Sequence, residues 1–341
     1  MMSSNISFAI VGCGNIGKRH ALHIHHFAKL TAVCDIDISK AETLGKEYRA
    51  NVYISLDELM ANERAIDVIA ICTPNGLHAV QALQCLQAGY HVVCEKPMAI
   101  SSADCRQMIA ASEQYDKCLF IVKQNRFNKA VVEVKKALSA GALGTILSFQ
   151  INCFWNRNKD YYRNSWHGSK DLDGGTLFTQ FSHFIDIMYW LLGDVNEVQS
   201  YLQNREHQST IAFEDTGAVI LHMQGGAVGT LNYTVNAYNE NMEGSFTLFG
   251  EKGTVKIGGQ YLNTIQYQNI QDYTIPASNE ETKANDYGTY KGSMSNHDKV
   301  YQNVLDVLQK GAAISTNAYD GLKTVEIIEK IYAANLLPIT V

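Results

Sequence analysis

The most restrictive feature of this chain is a glycine-spaced hexapeptide, Gly12-Cys13-Gly14-Asn15-Ile16-Gly17, set between the β-rich run Ser7–Val11 and a helical stretch. Strand, glycine turn and helix in that order mark the start of a parallel βαβ unit. The glycines meet separate steric demands: Gly12 permits the tight turn, Gly14 lets a ligand approach the backbone, and Gly17 lets helix and strand pack closely. Unpaired N–H groups at the helix start, which Asn15 and Ile16 open, favour an anion such as a pyrophosphate. A second strand ends in Asp35, 18 positions beyond Gly17. A carboxylate there accepts hydrogen bonds from an adenosine ribose and repels a 2′-phosphate, so the expected cofactor is NAD rather than NADP. A glycine turn with an unrelated acid downstream is the alternative.

At 341 residues the chain exceeds what one hydrophobic core ordinarily supports, so two domains are expected. Its 46% hydrophobic and 18% charged residues, with only four prolines, are those of a globular protein. The net charge of −6 includes no basic arm, which argues against nucleic acid as a partner. No apolar run reaches the ~20 residues of a membrane helix. Met1–Asn5 carries no basic segment leading into an apolar stretch, so neither a membrane span nor secretion is expected. All eight cysteines lie between positions 13 and 153, mostly in apolar runs and without a CxxC pair. They read as reduced core cysteines of a cytoplasmic protein, and no metal site is expected.

From Ile6 to about Gly144, β-rich runs alternate with helical stretches: Ser7–Val11, Thr31–Asp35, Asp67–Cys72, His91–Cys94 and Leu119–Val122. That alternation implies right-handed βαβ units in a doubly wound parallel sheet, an N-terminal Rossmann domain over residues 1–124. Beyond it the texture changes to alternating stretches, Thr145–Trp155, Ala218–His222, Ala227–Val235, Ser245–Phe249 and Thr254–Ile257, joined by glycine-containing turns. Residues 125–341 are thus expected to form a C-terminal α/β domain with a large, mostly antiparallel open sheet. Helices Thr176–Leu192, Asn296–Lys310 and Gly321–Ala334 interrupt and end it, the last ones being candidates to pack back on the first domain. Helices on one face leave the other free for a partner subunit.

Three polar clusters follow predicted strands: Thr73-Pro74-Asn75 with His78, Glu95-Lys96-Pro97, and Gln124-Asn125-Arg126. Ligands of doubly wound sheets bind outside the carboxyl ends of the strands. Thr73, Pro74, Asn75, His78, Glu95, Lys96 and Gln124 are therefore expected at the nicotinamide end of the cofactor. Oxidising an alcohol removes a hydride from carbon and a proton from oxygen, and burial with like charge eases proton loss from an ammonium such as that of Lys96. A solvent-exposed lysine after a strand is the alternative. The helix Thr176–Leu192 is apolar almost all round, yet Thr176, Thr179, Gln180, His183 and Asp186 recur at spacings of three and four as one polar stripe. Buried polar groups need partners, so the stripe marks either a ligand pocket or a closed hydrogen-bond network.

With Gly12–Gly17 followed by Glu95-Lys96-Pro97, the whole chain resembles the Gfo/Idh/MocA oxidoreductases. The resemblance implies that Lys96 sits beside the nicotinamide and the reacting hydroxyl, and that His183, following the glycine-rich Asp173-Gly174-Gly175, is the active-site histidine. Many relatives have Asp four residues before that histidine where this chain has Thr179, so a Lys–Asp–His triad does not carry over whole. The run Phe154-Trp155-Asn156-Arg157, then Tyr161-Tyr162, Trp166-His167-Gly168, Gln180 and Ser182-His183, is similar to the branch oxidising C3 of UDP-N-acetyl-hexosamines, notably the UDP-N-acetyl-glucosaminuronate 3-dehydrogenases of bacterial polysaccharide synthesis. Glu214-Asp215-Thr216-Gly217 continues the similarity. It implies a substrate site of Lys96, Arg157, Tyr161, Trp166, Gln180, Ser182 and His183, and a homodimer or homotetramer built through the C-terminal sheet. Arg157 is the candidate for a uronate carboxylate, since a guanidinium grips one with two bonds. The usual Trp-Arg-Gly reads Trp166-His167-Gly168, which leaves the neutral UDP-N-acetyl-glucosamine open. A free sugar or inositol as substrate, and a non-catalytic NAD-binding sensor, are the competing readings.

Overall fold

The computed structural model describes residues 6–163, 165–276, 284–286 and 291–336; Met1–Asn5, and with them the reading of the chain start, lie outside it. The chain divides into two compact units, one of the residues up to Lys123 with His297–Val325, the other of Gln124–Asn296 with the residues from Glu326.

The first unit holds six strands, β1 (Ser7–Val11), β2 (Lys29–Cys34), β3 (Asn51–Tyr53), β4 (Val68–Ile71), β5 (His91–Cys94) and β6 (Leu119–Ile121). They pair in parallel in the order β3-β2-β1-β4-β5-β6, the doubly wound order that reverses direction beside β1. Strands covered on both faces need near-continuous apolar sequence, and β1 (SFAIV) and β4 (VIAI) are buried at every position. Asp35 and Cys72, read as strand residues, lie just past the ends of β2 and β4. Helix His297–Lys310 packs against helix Asn15–Phe27, with Tyr301 edge-on to Phe8 of β1 at 5.6 Å.

The second unit is built on seven strands, β7 (Ile146–Phe154), β8 (Val195–Gln203), β9 (Thr216–Met223), β10 (Val228–Thr234), β11 (Glu243–Gly250), β12 (Gly253–Gly258) and β13 (Thr264–Ile270). Their order is β13-β12-β11-β7-β10-β9-β8, antiparallel except for the parallel pair β7–β10. The inner face carries Phe149, Ile151, Leu221, Leu231, Tyr233, Phe246 and Leu248, all buried. Phe181 closes on Tyr233 at 5.5 Å and on Trp155 at 5.3 Å, which seats the helical region on that face. On the opposite face Tyr201, Ile220, Val228 and Tyr267 are about half exposed. No helix among the described residues is long and apolar enough to cross a membrane.

The helix expected over Thr176–Leu192 departs from regularity: Leu177–Phe181 is a π-helical turn, and the α-helix proper is Ser182–Leu192. The wide turn breaks the single polar stripe. Thr176 turns to the Glu214 carbonyl, Thr179 to Asp173, Gln180 to Arg157 and Tyr161, while Asp186 faces Arg126. Most of the stripe is thus a closed network, with the surroundings of His183 the exception described below. Such π-turns are rare and concentrate at functional sites.

Candidate active site

The turn after β1 has the shape a pyrophosphate requires. Gly12 has φ +97°, and a Cβ there would lie 2.6 Å from the Cys72 carbonyl oxygen; one on Gly17 would lie 2.0 Å from that of Gly12. A Cβ on Gly14 would meet nothing within 4 Å, so that glycine keeps open space rather than packing. Helix Asn15–Phe27 begins there with no side-chain cap, leaving the N–H groups of its first turn for an anion. Asp35 is held at the loop: Oδ2 accepts Cys13 N–H at 2.7 Å and Oδ1 accepts Asp37 N–H at 2.8 Å. Burial, reinforced by Asp35, pushes the Cys13 thiol up to about 12, so it stays protonated beside the loop. The cradle fits NAD. Asp35→Ala should narrow the preference for NAD over NADP by about tenfold or more, because the repulsive carboxylate is gone; tighter binding of NADP than NAD by the parent protein, in a fluorescence titration, would contradict the role given to Asp35.

Two of the polar clusters meet in this unit. His78 is buried, with Nδ1 2.8 Å from the Pro97 carbonyl and Nε2 2.9 Å from that of Thr73, so one ring ties the loops after β4 and β5 together. Two carbonyl acceptors favour the doubly protonated ring, yet complete burial lowers its pKa and is the larger effect. Thr73 Oγ1 donates to Gln81, and Asn75 is buried at the start of a 3-10 turn after Pro74. The Glu95 side chain, expected at the cofactor, instead points into the core. Its carboxylate accepts from His20 Nε2 (2.8 Å), His297 Nε2 (3.3 Å) and Lys96 N–H (3.0 Å), and its backbone N–H donates to the Ile71 carbonyl (3.1 Å). Burial alone would raise its pKa, but the two histidines hold the carboxyl well below the usual range. Lys96 itself is half-buried, next to the cis peptide to Pro97.

The third cluster belongs to the second unit, where Gln124–Phe127 forms a 3-10 turn against helix Ser182–Leu192. Arg126 and Asp186 make a buried two-pronged ion pair (Nε to Oδ2 2.8 Å, NH2 to Oδ1 2.7 Å), with the guanidinium 5.4 Å above the Trp190 ring. That clamp sets His183, one turn before Asp186, with Nε2 3.4 Å from both Gln124 Nε2 and Ser293 Oγ. Gln124 Oε1 and Ser182 Oγ are buried and have no hydrogen-bond partner among the described residues. Buried polar atoms left in that state next to a histidine are what a polar ligand satisfies.

Of the substrate candidates, Arg157, Tyr161 and Gln180 come together. Arg157 is 3% exposed and lies between the Trp155 and Tyr161 rings (5.2 and 5.3 Å). It donates to the neutral oxygens of Gln180 (2.8 Å), Asn156 (2.6 Å) and Asn241 (3.2 Å), and Gln180 Nε2 donates to Tyr161 OH at 2.9 Å. Trp166 stacks on His167, which leans on Tyr161. Thr179, the residue four before His183 at which the chain departs from the resemblance, donates to the buried Asp173, which also accepts Gly168 N–H at 2.8 Å. A carboxylate thus reaches this turn from six residues earlier. Sequence reading singled out neither Asp173 nor Ser293 as a site residue, and missed His20, His297 and Tyr301. Residues 20 and 297 meet only through the fold, so no spacing could announce them.

A glycine cradle with an acid just past the second strand defines an NAD-binding domain. The profile of the oxidoreductase family with an NAD-binding Rossmann fold, Gfo/Idh/MocA, matches residues 6–123, and that of the Gfo/Idh/MocA C-terminal domain matches residues 131–256. Among solved structures the chain is similar to the WlbA dehydrogenase of Bordetella pertussis in complex with NADH and UDP-GlcNAcA, with 34% identity, a TM-score of 0.87 and 96% of each chain covered. The WlbA dehydrogenase of Chromobacterium violaceum, in complex with the same two molecules, gives 34% and 0.87 over 98% of this chain and 94% of its own. The scyllo-inositol 2-dehydrogenase (NADP(+)) IolW of Bacillus subtilis is 25% identical over 95% of this chain and 92% of its own length. The chain belongs to the Gfo/Idh/MocA oxidoreductase family, and is an NAD-dependent dehydrogenase of sugar or polyol hydroxyls.

Proposed function

We propose that this enzyme oxidises the C3 hydroxyl of a UDP-N-acetyl-hexosamine, or of its uronate, to the 3-keto sugar, a reaction that feeds bacterial surface polysaccharide synthesis in the cytoplasm. Residues 1–124 bind NAD in this reading, and residues 125–341 bind the sugar and form the homo-oligomer. The half-exposed apolar residues of the open sheet face, Tyr201, Ile220, Val228 and Tyr267, support the last point. What carries the reading is the whole-chain likeness, at 34% identity, to two dehydrogenases crystallised with UDP-GlcNAcA.

NAD, when bound, supplies the acceptor for the hydride that leaves carbon. Lys96 and His183 take the proton that leaves oxygen, Lys96 as the amine next to the cis-Pro97 and His183 as the imidazole steadied through Gln124 and Ser293. Gln124 Oε1 and Ser182 Oγ offer the unsatisfied polar atoms that orient a sugar. Arg157, pre-positioned by Gln180 and Asn241, is the cation for a C6 carboxylate.

An inositol reading draws on curated relatives such as the inositol 2-dehydrogenase of Rubrobacter xylanophilus, 26% identical over 75% of this chain. One assay separates the two: the protein with NAD and, in turn, UDP-N-acetyl-glucosamine, its uronate and myo-inositol, followed by nicotinamide absorbance and mass spectrometry of the product. A 3-keto nucleotide sugar is expected. Turnover of inositol with neither nucleotide sugar consumed would overturn the proposal.

A further inference from the structure

Glu95, His20, His297 and Tyr301 form one buried hydrogen-bonded chain in the first unit, assembled from segments distant in sequence. His20 and His297 are 0% exposed and Glu95 is 5% exposed. His20 Nε2 and His297 Nε2 both donate to Glu95 Oε1, and Lys96 N–H donates to Glu95 Oε2. With Nε2 donating, His20 Nδ1 is left as an acceptor, and the Tyr301 hydroxyl meets it at 2.6 Å. The tautomers agree along the whole path: Tyr301 donates to His20, His20 to Glu95, and Glu95 receives the amide of Lys96.

We propose that this network positions Lys96, holding the lysine in register with the helix that receives the cofactor pyrophosphate. The proposal rests on the reading of Lys96 as a proton-handling residue. His20 lies on helix Asn15–Phe27, whose first turn follows Gly14, so a single carboxylate joins that helix to the lysine's own backbone. From helix His297–Lys310, His297 holds the carboxylate directly and Tyr301 holds it through His20. Such a carboxylate has one orientation that satisfies its donors, and any other leaves a buried charge without them. Glu95 and His20 are positioning residues: they touch neither sugar nor nicotinamide through the atoms that build the network. A shared metal ion is the competing occupant, since the three ligating atoms lie within 4.8 Å of one another.

The test compares Glu95→Gln, His20→Phe, His20→Gln and Tyr301→Phe with the parent protein and with Lys96→Ala. Glu95→Gln and His20→Phe should lower kcat on UDP-N-acetyl-glucosamine or its uronate by about 10²-fold, the scale of a small misplacement of a reacting group. KM for the sugar and Kd for NADH should stay within about threefold, as expected for a loss confined to the chemical step. His20→Gln, which keeps a donor, should recover most of the rate. Independently of turnover, the rate at which acetic anhydride modifies Lys96, read by peptide mass spectrometry, should change severalfold in Glu95→Gln. Normal kcat and normal Lys96 reactivity in folded Glu95→Gln would overturn the proposal. Should Glu95→Gln not fold, Tyr301→Phe decides, because deleting that one hydroxyl should still lower kcat severalfold and an unchanged kcat would overturn the network. Stoichiometric zinc in the purified parent, absent from Glu95→Gln, would overturn it in favour of a metal site. If Lys96→Ala keeps near-parental turnover, the assignment of Lys96 fails; if it is inactive while Glu95→Gln turns over normally, only the positioning fails.

Discussion

Alanine at Lys96, or at His183, should lower turnover by roughly 10²–10⁴-fold, the usual contribution of a positioned proton acceptor, while NAD binding changes little. The Gly12–Gly17 cradle and Asp35 supply the contacts expected to hold the adenosine and pyrophosphate, and neither substitution touches them. The double variant should be no worse than about tenfold below the weaker single one, because two groups handling one proton fail together rather than additively. His183→Asn gives a finer probe. It keeps a polar group near Gln124 and Ser293, both 3.4 Å from His183 Nε2, but removes the basic nitrogen, so binding should survive and rate should not. Single-turnover absorbance at saturating NAD reads the chemical step directly. Near-parental rates in Lys96→Ala on a substrate that the parent oxidises would remove Lys96 from the mechanism.

The first unit was legible in the sequence because both faces of its sheet are covered, and continuous apolar runs such as VIAI and HVVC leave little doubt about strand or order. The pattern did not single out β3, β8 and β13, each at the edge of its sheet and weak in apolar alternation, nor the short antiparallel pair Ala284–Asp286 and Lys291–Met294. The glycine cradle was legible for the same local reason: each glycine answers a constraint set within a few residues. Thr179 was read as the loss of an aspartate, whereas the fold brings Asp173 onto its hydroxyl. The π-turn that splits the polar stripe also left no mark in the spacing, since its wide turn is set by packing of Phe181 on Trp155 and Tyr233. Long-range pairs such as His20 with His297 were beyond any periodicity.

The adjacent carboxyls Glu214 and Asp215 lead to a prediction about pH. Both are fully buried. Asp215 sits in a nest of donors, the N–H groups of Arg205, Glu206 and His207 and the His207 ring. Burial opposes its charge, yet these donors win and hold it well below the usual carboxylate range. Glu214 Oε1 accepts the hydroxyls of Tyr332 (2.7 Å) and Tyr233 (3.1 Å), the N–H groups of Glu214 itself and Leu177 also favour its charged form, and Oε2 is buried with no partner among the described residues. Burial therefore dominates and pushes its carboxyl from 4.5 up to about 8. The folded state then binds a proton that the unfolded state releases between those two values, so stability is full below pH 4.5 and is lost as pH rises through 8. The fall should be roughly 3–5 kcal/mol in unfolding free energy of the second unit, at about 1.4 kcal/mol for each pH unit. Tyr332 also meets Leu177 N–H, at the first residue of the π-turn that leads to Gln180 and His183, so this carboxyl is tied through one hydroxyl to the approach to the candidate site. Glu214→Gln keeps the size and one acceptor but cannot ionise. Urea denaturation from pH 5 to 9 should show the parent losing stability and Glu214→Gln holding it, the variant being the more stable of the two at pH 9. Parallel curves for the two proteins would mean that Glu214 stays charged when buried, with a donor for its second oxygen.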